Sequence, residues 1–117
     1  MRLEIRRRRL EVSEALRAHV ERRLRTALGR VARRVGRVRV YLRDVNGPRG
    51  GVDKRCRIVV HLPPAGRAVV SGTGSDPYAV VTRTAERSGR AVKRHLKRKA
   101  ARRRPGRRVA DVSGRPG

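Results

Sequence analysis

From Asp76 to about Arg104 the chain reads DPYAVVTRTAERSGRAVKRHLKRKAARRR, a stretch with the period of one long helix and two faces of opposite character. Asp76 can accept hydrogen bonds from the first free backbone N–H groups. Pro77 stands where a missing N–H costs nothing and a fixed φ suits a helix. At about 100° per residue, Tyr78, Val81, Ala85, Gly89, Val92 and Leu96 share one stripe, while Arg83, Arg87, Arg90, Arg94, Lys97 and Arg98 lie opposite. A solvated helix face normally mixes signs, but only Glu86 interrupts this one. One face is therefore expected to pack on a core, and the other to meet a polyanion.

The whole chain carries the same bias. Thirty-four Lys and Arg against nine Asp and Glu give a net charge of +25, which self-repels unless much of it meets phosphate. At 117 residues the length allows one modest core and no independent second one. With only 2% aromatic residues, that core must be aliphatic. A membrane surface is a poor match, because the apolar face of the long helix is Val, Ala and Gly where a membrane-lying helix carries bulky anchors. No apolar run approaches a spanning helix, and residues 1–12 alternate charge with Leu and Ile, unlike a signal peptide. The expected location is the cytoplasm. Cys56 is alone, so there is no disulfide framework or thiol metal site, and a buried strand position suits it.

Taken in order, residues 2–6 alternate apolar and charged side chains, the pattern of a half-buried strand. Ser13 can cap a helix, and Leu16, Val20, Leu24, Ala27, Leu28 and Val31 then recur at helical spacing, which predicts a helix over roughly 14–31, fraying near Gly29. A second strand begins at Arg37, with Val38, Val40 and Leu42 on one face and Arg37, Arg39, Tyr41 and Arg43 on the other. The turn formers at 46–51 then lead to a third, antiparallel strand, with Cys56, Ile58, Val60 and Leu62 alternating against Arg55, Arg57, Val59 and His61. Pro63 to Gly66 make a tight connection to a short fourth strand at 68–70, and Gly72 and Gly74 read as a turn before the long helix. The order β-α-β-β-β-α predicts an α+β fold. Its four-stranded sheet carries both helices on one face and leaves the other open, populated by Arg37, Arg39, Arg43, Arg55, Arg57 and Arg67. Residues 105–117 hold too few apolar groups to bury anything and read as a disordered basic tail, so 1–104 is the folded domain.

Little here supports catalysis. The Gly72-Thr73-Gly74-Ser75 stretch lacks the Lys of a phosphate-cradling loop. His19, His61 and His95 fall on three different elements without metal-ligand spacing. Asp44 and Asp53 flank the glycine-rich turn, yet nothing nearby supplies a nucleophile or oxyanion donors. No enzyme activity, cofactor, metal or small-molecule substrate is expected. With only Tyr41 on the open sheet, reading of single-stranded bases by stacked aromatics is also disfavoured. What remains is binding through phosphate and shape, for which Arg is the favoured side chain.

EVSEALRAHVERRL, the VRVYL strand, IVVHLPPAG, and then SGTGSDPYAVVTRTAERSGRAVKRHLKR resemble the ribosome hibernation-promoting factor family, the ribosome-associated translation inhibitors. The likeness covers roughly residues 1–100, and its most specific part is the Asp-x-Tyr-Ala opening of the second helix, Asp76 to Ala79. The resemblance implies a double-stranded-RNA-binding-domain-like fold. It also implies a translation inhibitor that binds the small ribosomal subunit and the 70S ribosome through 16S rRNA, between head and body, where messenger and tRNA would lie. The family's basic second helix maps onto Arg83, Arg87, Arg90, Lys93, Arg94, Lys97 and Arg98, and its sheet positions onto Arg39, Arg55 and Arg57. Unlike members with an acidic tail or a dimerising C-terminal domain, this sequence ends in a short basic stretch, so a free monomer is expected. The arginine excess alone would also suit a general nucleic-acid-packaging or ribosomal structural protein. An RNA-processing enzyme is the rival from another class.

Overall fold

The computed structural model describes residues 1–45 and 53–103; the turn formers at 46–51 and the tail at 105–117 lie outside them. The described elements are strand β1 (Arg2–Arg8), helix α1 (Glu14–Leu28), a 3-10 turn (Gly29–Arg34), strands β2 (Arg37–Asp44), β3 (Lys54–His61) and β4 (Arg67–Gly74), and helix α2 (Pro77–Arg103). The sheet order is β1-β2-β3-β4. β1 and β2 are parallel, as their α1 crossover requires, and the remaining pairs are antiparallel.

The strand register falls where alternation places it. Val38, Val40, Leu42, Ile58 and Val60 are buried, as is Leu62 just past β3, and they form one core with Leu16, Val20, Leu24, Val81, Val92 and Leu96 from the helices. Each large aliphatic side chain removed from water contributes roughly 1.5–3 kcal/mol. Both helix starts are capped as expected: Ser13 Oγ accepts from the Leu16 N–H at 3.1 Å, and Asp76 Oδ1 from the Tyr78 N–H at 3.0 Å.

Four expectations need correction. β1 continues two residues past Arg6, because Arg7 and Arg8 find ladder partners in Leu42 and Arg43. α1 stops at Leu28, where Gly29 takes a positive φ of 40° and its N–H closes on the Arg25 carbonyl. Val31 therefore packs from the 3-10 turn. Gly72 and Gly74 belong to β4, paired with Cys56 and Lys54, and not to a turn before α2. They are glycines because α2 lies directly on them: a Cβ on Gly72 would collide with Thr84 Oγ1, and one on Gly74 would stand 2.7 Å from Val80 Cγ2. Finally, Tyr78 is 38% exposed. The buried face of α2 is centred further round, taking in Val80, Thr84 and Ser88, so the first-turn tyrosine falls at its margin.

Candidate nucleic-acid interface

Since side chains alternate across a strand, the register also determines which residues share the open face. Across the four strands they form cross-strand rows: Arg2, Arg37, His61 and Arg67; Glu4, Arg39, Val59 and Val69; Arg6, Tyr41, Arg57 and Ser71; Arg8, Arg43, Arg55 and Thr73. Among the described residues, nine arginines stand there with one acid. Arg2, Arg6 and Arg8 were absent from the open face drawn from sequence, because the pairing of β1 beside β2 is a tertiary fact. Val59 is buried in spite of its place among arginines. It sits in register between Arg39 and Val69, and arginine stems cover apolar neighbours while their heads stay in water.

Glu4 divides this face in two. Its carboxylate takes a 2.9 Å hydrogen bond from Arg39 Nε and lies 3.7 Å from Arg6 and 3.9 Å from Arg37. That hydrogen bond holds the Glu4 carboxyl below the usual range; partial desolvation opposes it, the charges of Arg39, Arg37 and Arg6 reinforce it, and the same pair raises Arg39. Arg39 is thus tied inside the protein. Beyond Glu4, Arg8, Arg43, Arg55 and Arg57 have no carboxylate partner among the described residues. They border a half-open cleft of about 530 Å³ with Arg6, Arg7, Tyr41, Leu42 and Ser71. The Arg57 guanidinium carbon lies 5.7 Å from the centroid of the Tyr41 ring, a cation–π arrangement.

On the other side of the molecule, α2 presents its cations along 27 residues, roughly 40 Å of rigid helix. Arg90, Lys93, Arg94, Lys97 and Arg98 are exposed. Glu86, the one acid among them, is engaged by Arg23 of α1 at 3.3 Å. Arg83 and Arg87 differ from the rest of the row. Arg83 Nη2 donates to the Thr73 carbonyl at 3.0 Å, and Arg87 Nη1 donates to the Ser71 carbonyl. Both therefore lie along the free edge of β4 and satisfy carbonyls that no strand pairs. Both are exposed, as their place opposite the packed stripe predicts, yet they also lock helix to sheet, and the cationic surface turns the corner from α2 to the open face through them.

The remaining polar groups are structural. Asp53 is 1% exposed and its Oδ1 meets Lys54 Nζ at 2.9 Å, while Asp44 Oδ2 lies 3.3 Å from the same ammonium. The two carboxylates that flank the turn are thus bridged by a lysine, whose pKa rises chiefly through the Asp53 hydrogen bond. His19 Nε2 lies 3.1 Å from the Tyr78 carbonyl and 2.9 Å from Thr82 Oγ1, joining the N-terminal parts of the two helices. His95 Nε2 meets the Ala65 carbonyl. Burial pushes the Cys56 thiol up to about 12, with a hydrogen bond to Thr84 opposing in part, so it is an inert core side chain. Among the described residues there is no group of three or more His, Cys, Asp or Glu placed to hold a metal, and no helix is long and apolar enough to cross a membrane.

Comparison with known proteins gives a consistent result. The sequence profile described as Sigma 54 modulation protein / S30EA ribosomal protein matches residues 3–100. Among solved structures, the chain is similar to a ribosomal subunit interface protein from Coxiella burnetii, with a TM-score of 0.67 at 17% identity over 86% of this chain and 99% of that one. It is also similar to the N-terminal domain of Thermus thermophilus Protein Y, with a TM-score of 0.64 at 28% identity over 80% of this chain and 98% of that one. No curated protein sequence matches.

Proposed function

Since the chain belongs to the Sigma 54 modulation protein / S30EA ribosomal protein family, we propose that it is a cytoplasmic ribosome-binding translation inhibitor of the hibernation type. It works by occupancy. Cations of α2 neutralise phosphates of 16S rRNA in the small-subunit channel, and the folded body stands where messenger and tRNA would lie. No bond is made or broken.

The observation that supports this most directly is the exposed run Arg90, Lys93, Arg94, Lys97 and Arg98 on one rigid helix, with Glu86, the one acid of α2, held by Arg23. Such a row offers phosphate contacts at fixed spacing without reordering a loop, which lowers the entropic cost of docking. Arg83 and Arg87 contribute through the guanidinium N–H groups that β4 leaves free. Arg55 and Arg57 add charge from the opposite face, and Arg39 contributes less because Glu4 holds it. A net charge of +25 opposes self-association, so the protein acts as a monomer on single 70S ribosomes.

The test is co-sedimentation with small subunits and 70S ribosomes over a salt series, together with inhibition of an in vitro translation reaction. Binding is expected to fall steeply with salt as counterion release requires. Replacing Arg90, Arg94, Lys97 and Arg98 together with Glu is expected to abolish both binding and inhibition while the fold stays intact. Undiminished inhibition by that variant would rule out α2 as the contact. Equal affinity for ribosomes and random duplex DNA at matched salt would favour the packaging rival, for which the arginine excess alone suffices.

A further inference from the structure

The cleft on the open sheet face goes beyond what ribosome docking through α2 needs. Arg8, Arg43 and Arg55 stand directly opposite one another on three adjacent strands, an arrangement of like charges that weakens a sheet. The only acid on the face among the described residues, Glu4, is taken up by Arg6, Arg37 and Arg39. Among the described residues the repulsion is therefore left uncompensated, and a compact anion would relieve it. The cleft volume of about 530 Å³ falls in the range of small-molecule sites, roughly 300–1,000 Å³. At its side the Arg57 guanidinium carbon lies 5.7 Å from the centroid of the Tyr41 ring, and bases of any identity stack on aromatic and guanidinium surfaces.

We propose that this cleft binds a nucleotide bearing a chain of phosphates, a nucleoside triphosphate being the simplest, with its phosphates among Arg8, Arg43 and Arg55 and its base against the Tyr41 and Arg57 planes. Charge density favours such a ligand over a passing RNA strand. An extended strand brings one negative charge per nucleotide, whereas a triphosphate brings several within the span of one cleft, and guanidinium forks grip adjacent phosphate oxygens with paired hydrogen bonds. Ser71 adds a hydroxyl at the cleft wall. Its backbone carbonyl holds Arg87 of α2, so the occupied cleft sits one residue away from the helix that carries the ribosome-binding cations.

The experiment uses the full chain without ribosomes, so its outcome is independent of the docking reading. GTP and ATP are titrated by calorimetry at moderate salt, beside guanosine monophosphate, inorganic triphosphate and a short single-stranded RNA. The expected result is saturable one-to-one binding of the triphosphates, at least tenfold tighter than the monophosphate and tighter than inorganic triphosphate. The double variant Arg43→Ala/Arg55→Ala is expected to lose at least tenfold in affinity. The charge-matched control Arg33→Ala/Arg34→Ala, from the exposed 3-10 turn, is expected to keep it. Circular dichroism melts show whether each variant is folded, and Tyr41→Leu tests the base contact in a side chain that keeps the apolar volume. Equal weakening by both double variants would overturn the site in favour of diffuse charge. Binding of RNA without binding of mononucleotides would overturn the proposed ligand.

Discussion

Gly89 of α2 lies against the carbonyl of Ala27 in α1 at a separation that leaves no room for a Cβ. The two helices cross there, over the buried side chains of Leu24, Leu28, Val92 and Ala85. Alanine at a helix interior normally gains about 1 kcal/mol over glycine, yet overpacking against backbone costs about 1–3 kcal/mol. Because the obstacle is a carbonyl and not a flexible side chain, overpacking wins. Gly89→Ala is expected to lower the denaturant midpoint, and a midpoint at or above that of the parent protein would show that the helices separate freely.

Glu4 is the counterweight of the open face. Its carboxyl titrates lower in the folded chain than the ordinary 4.5. Its stabilising contribution is therefore fully present above the unfolded value and is lost as pH falls through the lower, folded one. Glu4→Gln is expected to flatten the acid limb of a stability-against-pH curve. It also frees Arg37 and Arg39 for phosphate, so RNA binding should tighten, and the slope of log affinity against log salt should steepen by roughly 1.4–1.8 units, about 0.7–0.9 for each new contact. A slope unchanged by the substitution would place those arginines outside the contact.

Arg83 and Arg87 cover the β4 edge. Removing both, as Arg83→Ala/Arg87→Ala, leaves the Ser71 and Thr73 carbonyls open to another chain. Each lost hydrogen bond is worth about 0.5–1.5 kcal/mol, and a bare edge strand invites pairing with a neighbour. Light scattering at rising concentration should show the variant associating where the parent stays monomeric. Arg90→Ala/Arg94→Ala removes the same charge away from the edge and should not associate.

Cys56 makes the alkaline side of stability testable. Its thiol titrates near 9.0 when exposed and is pushed up to about 12 in the fold. The folded form therefore holds the proton more tightly, and the stability this provides, present below pH 9, drains away as pH rises towards 12. From pH 8 to 10 the loss for this group is on the order of 1 kcal/mol. Cys56→Val, which fills the same apolar site, should lose about that much less over the interval by chemical denaturation. Equal losses would mean that the thiol meets solvent in the native state.

Periodicity alone determined most of the architecture: the alternation of Val38, Val40 and Leu42 and of Ile58 and Val60, the helical recurrence from Leu16 to Leu24, and the caps at Ser13 and Asp76. These are local properties, set by backbone geometry and by which side chains avoid water. The cationic row of α2 was legible for the same reason, as were the open-face arginines of β2, β3 and β4.

Only the tertiary structure decided what depends on residues far apart in the chain. It placed β1 beside β2, which set Arg6 next to Tyr41 and Arg8 next to Arg43 and assembled the cleft. It chose Glu4 as the partner of Arg39, and gave Arg83 and Arg87 to the edge of β4. It also explained Gly72 and Gly74, which read as turn formers in sequence and are strand residues whose missing side chains admit Thr84 and Val80. A glycine selected for close approach carries no mark of its neighbour in the local sequence, and an arginine in a run of arginines carries no mark of which carboxylate or carbonyl will hold it.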